Sequence, residues 1–208
     1  MANCLLNKNL TKTDFCGYSL KQITDIYLAN YSEVVSKDPA ATGTTAVEGK
    51  FTLEMDTDGY TVKKITATAN SGGTSPKFAR VEPAKDSSSY NDDLVVGGNG
   101  SKYRTHSITF SFNGAYSAVL AEVLDSLSLG RFIAVLKLSD NSYVMLGRLT
   151  GLEASAASSL SEAAADGMNG INVTLECNTV EPALVLSPDA VTTLLANVVT
   201  DAAGDEGE

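Results

Sequence analysis

The chain has 208 residues, 43% of them hydrophobic and 19% charged, which suits one domain burying roughly 70% of its unfolded surface. Low-complexity disorder is excluded for its bulk. With 15 Lys+Arg against 25 Asp+Glu the net charge is −10, and no basic run offers the footprint that attraction to nucleic acid or to an anionic membrane needs.

Three cysteines (Cys4, Cys16, Cys177) and one histidine (His106) are too few and too scattered for a four-ligand zinc site. The cysteines read as small buried hydrophobes in a reducing compartment. Residues 1–14 lack the apolar stretch of a signal peptide, and no segment approaches 18 continuous apolar residues, so a soluble protein made in a cytoplasm is expected. The Asn-x-Ser/Thr sequons at Asn9, Asn30, Asn99 and Asn172 carry no information in such a protein.

From Ile23 to Tyr31 apolar residues occupy both parities, as in a strand buried on both faces. Phe51, Leu53 and Met55 alternate with polar residues, and Asp58-Gly59 turns the chain into a second strand from Tyr60 to Ala69. Residues 70–102 change character: Ser/Gly-rich and Asp-Ser-Ser-Ser segments interrupt short extended pieces at Phe78–Glu82 and Tyr90–Val96, a long excursion from the core. Arg104–Phe112 is the cleanest half-buried strand, with His106, Ile108, Phe110 and Phe112 on one parity and Thr105, Ser107, Thr109 and Ser111 opposite.

The period then switches to 3.6. Val119, Leu120, Val123, Leu124 and Leu127 share one face of a helix over 117–129, a core helix that ends at Gly130. Phe132–Leu138 and Tyr143–Gly147 form a hairpin across Asp140-Asn141, and Leu149–Leu152 offers an extension of the second strand. Residues 154–170 are Ala/Ser-rich, lose alternation and read as a loop. Ile171, Val173, Leu175 and Cys177 alternate as a last strand. Ser187-Pro188-Asp189 then caps a short helix, followed by a solvated tail, 201–208, with four acids and no base. The chain thus divides into a β domain, 1–186, and a helix and acidic tail, 187–208.

Enzyme chemistry finds no foothold. His106 shares a strand face with Ile108 and Phe110, which fits a structural or interface histidine. Gly97-Gly98-Asn99-Gly100 lacks the Lys-Ser/Thr and following helix of a phosphate loop and reads as a loop tip. Asp92 and Asp93, or Asp56 and Asp58, fall outside any twelve-residue Ca²⁺ loop. No catalytic residue, cofactor or metal is expected.

Several phrases stand in a suggestive order. They are Cys16-Gly17 before Ile23-Thr-Asp-Ile-Tyr-Leu-Ala-Asn-Tyr31, then Lys85-Asp-Ser-Ser-Ser-Tyr90 leading through Asn99-Gly-Ser-Lys-Tyr103 into His106-Ser-Ile-Thr-Phe110. The helix, the 132–147 hairpin, Gly151-Leu-Glu153, Asp166-Gly-Met-Asn-Gly170, Val173-Thr-Leu175 and Glu181-Pro-Ala183 follow. Over residues 16–186 this order resembles the tail tube proteins of bacteriophages, in particular those of Bacteroidetes phages and prophages.

The resemblance implies a mainly β fold, a β-sandwich or small barrel with a flanking helix, in a virion tail protein synthesised in the host bacterial cytoplasm. Its partners would be itself, in stacked and commonly hexameric rings, other tail or connector proteins, and double-stranded DNA passing through the lumen without specific binding; no membrane is involved. In and just after the 70–102 excursion, Asp86, Tyr90, Asp92, Asp93, Leu94, Val95, Val96, Tyr103 and Arg104 become candidates for contacts between subunits and rings. An acidic conduit agrees with this, because a wall that attracted phosphates would hold DNA instead of passing it. A tail-completion, stopper or connector ring and a tube-decorating protein are related readings. A carbohydrate-binding or adhesin-like β-sandwich would ordinarily show exposed Trp, of which the chain has none, and a small hydrolase would have to rely on His106.

Overall fold

A computed structural model describes residues 22–34, 46–113, 118–161 and 169–199. Within it β1 (Ile23–Asn30) is buried on both faces. Ile26 and Leu28 enter one apolar cluster, and Tyr27 and Ala29 enter another on the opposite side. A strand with no solvent face must be covered twice, and the rest of the chain does this.

The remaining elements follow in chain order. They are β2 (Phe51–Met55), β3 (Thr61–Ala67), β4 (Ala79–Val81), β5 (Ser89–Val96), β6 (Lys102–Asn113), α1 (Ala118–Leu129) and β7 (Arg131–Leu138). After these come β8 (Tyr143–Leu146), β9 (Leu152–Ser161), β10 (Asn169–Thr179), β11 (Leu184–Leu186) and α2 (Pro188–Leu195). The strands join in the order β2-β3-β11-β8-β7-β9-β10-β6-β5, with β1 on the other edge of β7 and β4 on the outer edge of β1. The protein is mainly β with two short helices.

Two lobes share β1, β7 and β8. In the first, the sheet from β1 through β7, β8, β11 and β3 to β2 curls until Phe51 bridges Val34, just beyond β1. Phe51, Leu53, Val62, Ile65, Val135, Met145 and Leu184 fill its inside, and α2 adds Ala190 and Leu194. The Ser187 hydroxyl accepts from Ala190 N–H at 3.2 Å, the cap that the sequence announces. In the second lobe, β9, β10, β6 and β5 form an antiparallel sheet. Its Ile108, Phe110, Ile171, Val173 and Leu175 pack with Ile26, Leu28, Leu136 and Leu146 on the other face of the shared strands.

Three expectations change. Residues 152–161 are strand, not loop: Ala and Ser are poor strand formers, but β10 offers a register from Glu153 to Ser161 and pairing overrides propensity. Leu149–Leu152 does not prolong β8, because the chain turns at Gly147 and Gly151 before β9 starts. The extended pieces expected at Phe78–Glu82 and Tyr90–Val96 are β4 and β5, but the 70–102 stretch does not leave the core: β4 pairs with β1 and β5 with β6 through eight residues. β11 is a three-residue strand with no periodicity to announce it. The 201–208 tail, Cys4 and Cys16 lie outside the described residues.

An ion pair holds β4 in place. Asp25, 4% exposed, accepts from Arg80 Nε at 2.8 Å and Nη2 at 2.6 Å, with Lys137 Nζ at 3.5 Å. Burial alone would push its carboxyl up, but the hydrogen bonds from Arg80 and Thr24 and the charges of Arg80 and Lys137 outweigh it and hold the pKa below 3.8. A depressed acid stabilises the fold above its ordinary pKa, and that stability disappears as pH falls through the depressed value.

The expected apolar face of α1 is only partly core. Leu127 is buried, Leu124 is half-buried and Val123 is exposed, while the side chains of Val119 and Leu120 lie outside the described residues. The helix packs against β9, and Leu127 and Leu124 join the second-lobe core. Leu127→Asp is therefore expected to unfold the subunit, since an unpaired buried charge costs several kcal/mol against a total of about 5–15. Leu124→Asp should cost less and Val123→Asp within about 0.5 kcal/mol. Urea unfolding of the three variants checks the order.

Candidate functional site, an open sheet face with two open edges

The second lobe turns one face of its sheet inward and leaves the other open. Strand parity puts Ser89, Asn91, Asp93 and Val95 of β5 on the open face, beside Tyr103, Thr105, Ser107, Thr109 and Ser111 of β6. Next to these stand Asn172, Thr174, Glu176 and Asn178 of β10, then Glu153, Ala156 and Ser158 of β9. The face is a lattice of hydroxyls and amides. Thr105 Oγ1 donates to Asn178 Oδ1 at 2.9 Å, and the Thr109 and Thr174 hydroxyls lie 3.1 Å apart. Among the described residues of these four strands it carries acids and no Lys or Arg. Arg131, at the β7 border, is paired to Glu153.

Among the described residues, both margins of this sheet are unpaired along most of their length. There β5 pairs with β6 alone, and β9 touches β7 only at Glu153 and Leu152 and pairs from Ala154 to Ser161 with β10 alone. Residues 155–159 are exposed. Neither edge carries a proline, Lys or Arg to block a further strand. Each neighbour in β5-β6-β10-β9 is antiparallel to the last, so the two open edges run in opposite directions.

The residues expected to meet neighbouring subunits are divided by the structure. Asp92 and Arg104 are partners within the chain, at 2.7 Å, and Asp92 Oδ2 also accepts from Ala183 N–H at 3.0 Å. They bind the hairpin to its own subunit, because adjacent strands place them side by side. Tyr90 packs on the inner cluster. Asp86 sits in a turn at φ 59 and accepts from Gln22. Val95 and Tyr103 are half-buried on the open face, where Asp93 is exposed. Leu94 and Val96 point to the inner side but lie beyond the body, 59% and 58% exposed. The hairpin tip is thus an uncovered apolar projection.

Sequence reasoning missed a second anchor. Arg148, 1% exposed, donates from Nε to Glu181 Oε1 at 2.9 Å and Oε2 at 3.1 Å, and from Nη2 to Oε1. Burial pushes the Glu181 carboxyl up and Arg148 opposes it. The pair joins the β8–β9 turn to the β10–β11 link beside Ala183. One signal was available: Arg148 is a lone charge one glycine beyond the apolar run Tyr143–Leu146.

No helix among the described residues is long and apolar enough to cross a membrane. Comparison with protein-family models, curated proteins and solved structures finds no match to this chain.

Arg148→Met leaves the Glu181 carboxylate buried without its cation and should cost about 3–5 kcal/mol. The double variant Arg148→Met/Glu181→Leu should recover much of that loss. Chemical denaturation of the two proteins measures the difference.

Proposed function

We propose that this chain is a structural subunit that closes into rings and stacks them into a tube, in the manner of a bacteriophage tail tube passing DNA. One observation carries the reading: among the described residues, a four-stranded antiparallel sheet has two open edges of opposite direction and an outer face without bases. Copies related by rotation about a ring axis keep their strand directions. β9 of one copy therefore meets β5 of the next antiparallel, and the sheet continues around the ring with no free edge left.

Dimensions support the same reading. Six copies, the number the family resemblance implies, would supply 24 strands, which at about 4.8 Å each make a wall of roughly 115 Å and a backbone circle of about 37 Å, wider once the strands tilt. Side chains reaching roughly 5 Å inward from it would leave a lumen of roughly 25 Å, wide enough for a DNA duplex. With the open face inside, DNA would meet hydroxyls, amides and a few carboxylates. Such a wall offers phosphates no cation to displace counterions, so it does not retain the duplex. The exposed Leu94 and Val96 on the hairpin tip favour a stacking ring over a single connector ring, because an apolar projection of this kind calls for a cover.

Negative-stain electron microscopy of the purified protein should show rings or tubes. Of the adjacent residues Ala156 and Ala157, one gives its N–H to β10 and the other to the open edge. Proline at the edge-facing position should leave a folded monomer that cannot close rings. Leu94→Asp/Val96→Asp should close rings that do not stack. A protein that stays monomeric by light scattering at high concentration and in the presence of phage tail components would overturn the reading.

On the proposed lumen face, Glu176→Lys/Asn178→Lys should make the assembled tube bind duplex DNA, with affinity falling as salt rises. A filter-binding titration at two salt concentrations checks it.

A further inference from the structure

Four parts of the fold meet at His106, the chain's only histidine and 1% exposed. Across the sheet it stands opposite Asp92 of β5 and Cys177 of β10. Its Nδ1 accepts from Gly147 N–H at 3.4 Å, at the start of the turn that launches β9. The Glu181 backbone lies beside it in the β10–β11 link.

An Nδ1 that accepts a hydrogen bond carries no proton, so this contact puts the neutral ring's proton on Nε2, which is buried without a hydrogen-bond partner 3.5 Å from Asp92 Oδ1. Asp92 is already engaged by Arg104 at Oδ1 and by Ala183 N–H at Oδ2. A second proton would have to go on Nδ1, facing the Gly147 N–H. Two donors would then oppose each other inside a packed interior.

We infer that His106 is a proton-operated latch: neutral, it holds the β8–β9 turn and the β5–β6 hairpin together, and protonated, it forces the Gly147 turn away and draws Asp92 from Ala183. The titratable and charged groups around it are Asp92 on β5, Arg104 on β6, the Cys177 thiol on β10 and the Arg148–Glu181 pair spanning the turn and the link. Burial lowers the imidazole pKa below 6.5; Asp92 and the Glu181 backbone oppose the shift and Arg104 adds to it. A base depressed in this way binds fewer protons folded than unfolded. Its contribution to stability is complete above about 6.5 and is lost as pH falls toward the lowered value.

Both open edges answer to this one ring, β5 through Asp92 and β9 through Gly147. On the assembly reading proposed above, acid would therefore loosen the two strands that join neighbouring subunits. The latch itself acts within a single chain and does not require assembly.

The full-length protein is titrated from pH 8 to pH 5, following the His106 imidazole by NMR and the hydrogen exchange of the Gly147 and Ala183 amides, corrected for intrinsic rate. Light scattering runs in parallel. Protection of both amides should fall about tenfold or more over the interval in which His106 titrates. His106→Gln, whose carbonyl can accept from Gly147 and whose NH2 can face Asp92, should show no such loss. Asp92→Asn keeps an acceptor for Ala183 but removes the charge that favours the imidazolium, so its transition should move to lower pH; this variant serves if His106→Gln fails to fold. Protection that is unchanged while His106 titrates, an identical acid transition in His106→Gln, or an unmoved midpoint in Asp92→Asn would each overturn the latch. Coupled loss of protection in a protein that never assembles would keep the latch and reject the ring. Assembly with amides indifferent to pH would do the reverse.

Discussion

Strand β7 lies in both lobes, and its edge away from β1 has to serve two partners. From Lys137 to Ala134 it pairs with β8, and at Phe132 and Arg131 it pairs with β9. Between them the chain leaves the sheet at Gly147 and re-enters after Gly151, both with left-handed φ. Space as well as torsion demands glycine here. A Cβ at Gly151 would lie 2.4 Å from Arg131 Cγ and 2.8 Å from Tyr31 Cγ, and one at Gly147 would lie 2.8 Å from Leu152 Cγ. Because the edge is handed over at this turn, β9 diverges from β8 and carries β10, β6 and β5 away as a second sheet. Without the handover there would be one curled sheet and no open four-stranded wall.

The turn is held by polar contacts inside an apolar interior. Arg148, the residue after Gly147, reaches Glu181, and Gly147 N–H reaches His106. Glu181 leads through Pro182 to Ala183, whose N–H is taken by Asp92. Turn, link and hairpin are thus tied in a short chain of buried charges and hydrogen bonds. Apolar contacts alone would leave their relative position loose, whereas a bidentate guanidinium and a capped backbone amide fix distance and angle.

The open face follows a different logic. A sheet with only one face against a core can turn the other to solvent, and here that face is saturated with short hydroxyl and amide side chains that pair across strands. Glu176 stands directly opposite Glu153, a like-charge pair that opposes folding, although Arg131 answers Glu153 from β7. A face tuned only for stability would separate those acids.

Period and turn chemistry determined most of the local structure. Alternation located β2, β6 and β10, and apolar runs bounded by turn residues located β1, β7 and β8, because a strand buried on one face places apolar residues by parity and one buried on both faces fills both parities. Ser187-Pro188 fixed the start of α2, because its capping bond is local. The anionic, base-poor character of the outer face was also legible, since parity on β6 and β10 already sorts hydroxyls and amides from apolar residues. What periodicity does not carry was decided by tertiary structure. Residues 152–161 are strand because β10 is there to receive them, and β11 exists because β3 and β8 leave room for three residues between them. Val123 is exposed though it shares a helical stripe with the buried Leu127, since periodicity gives the stripe but tertiary packing decides how much of it is covered. The Arg148–Glu181 pair, the place of His106 between two hairpins and the opposed directions of the open edges all join residues far apart in sequence. Such long-range geometry is set by packing and has no local pattern to announce it.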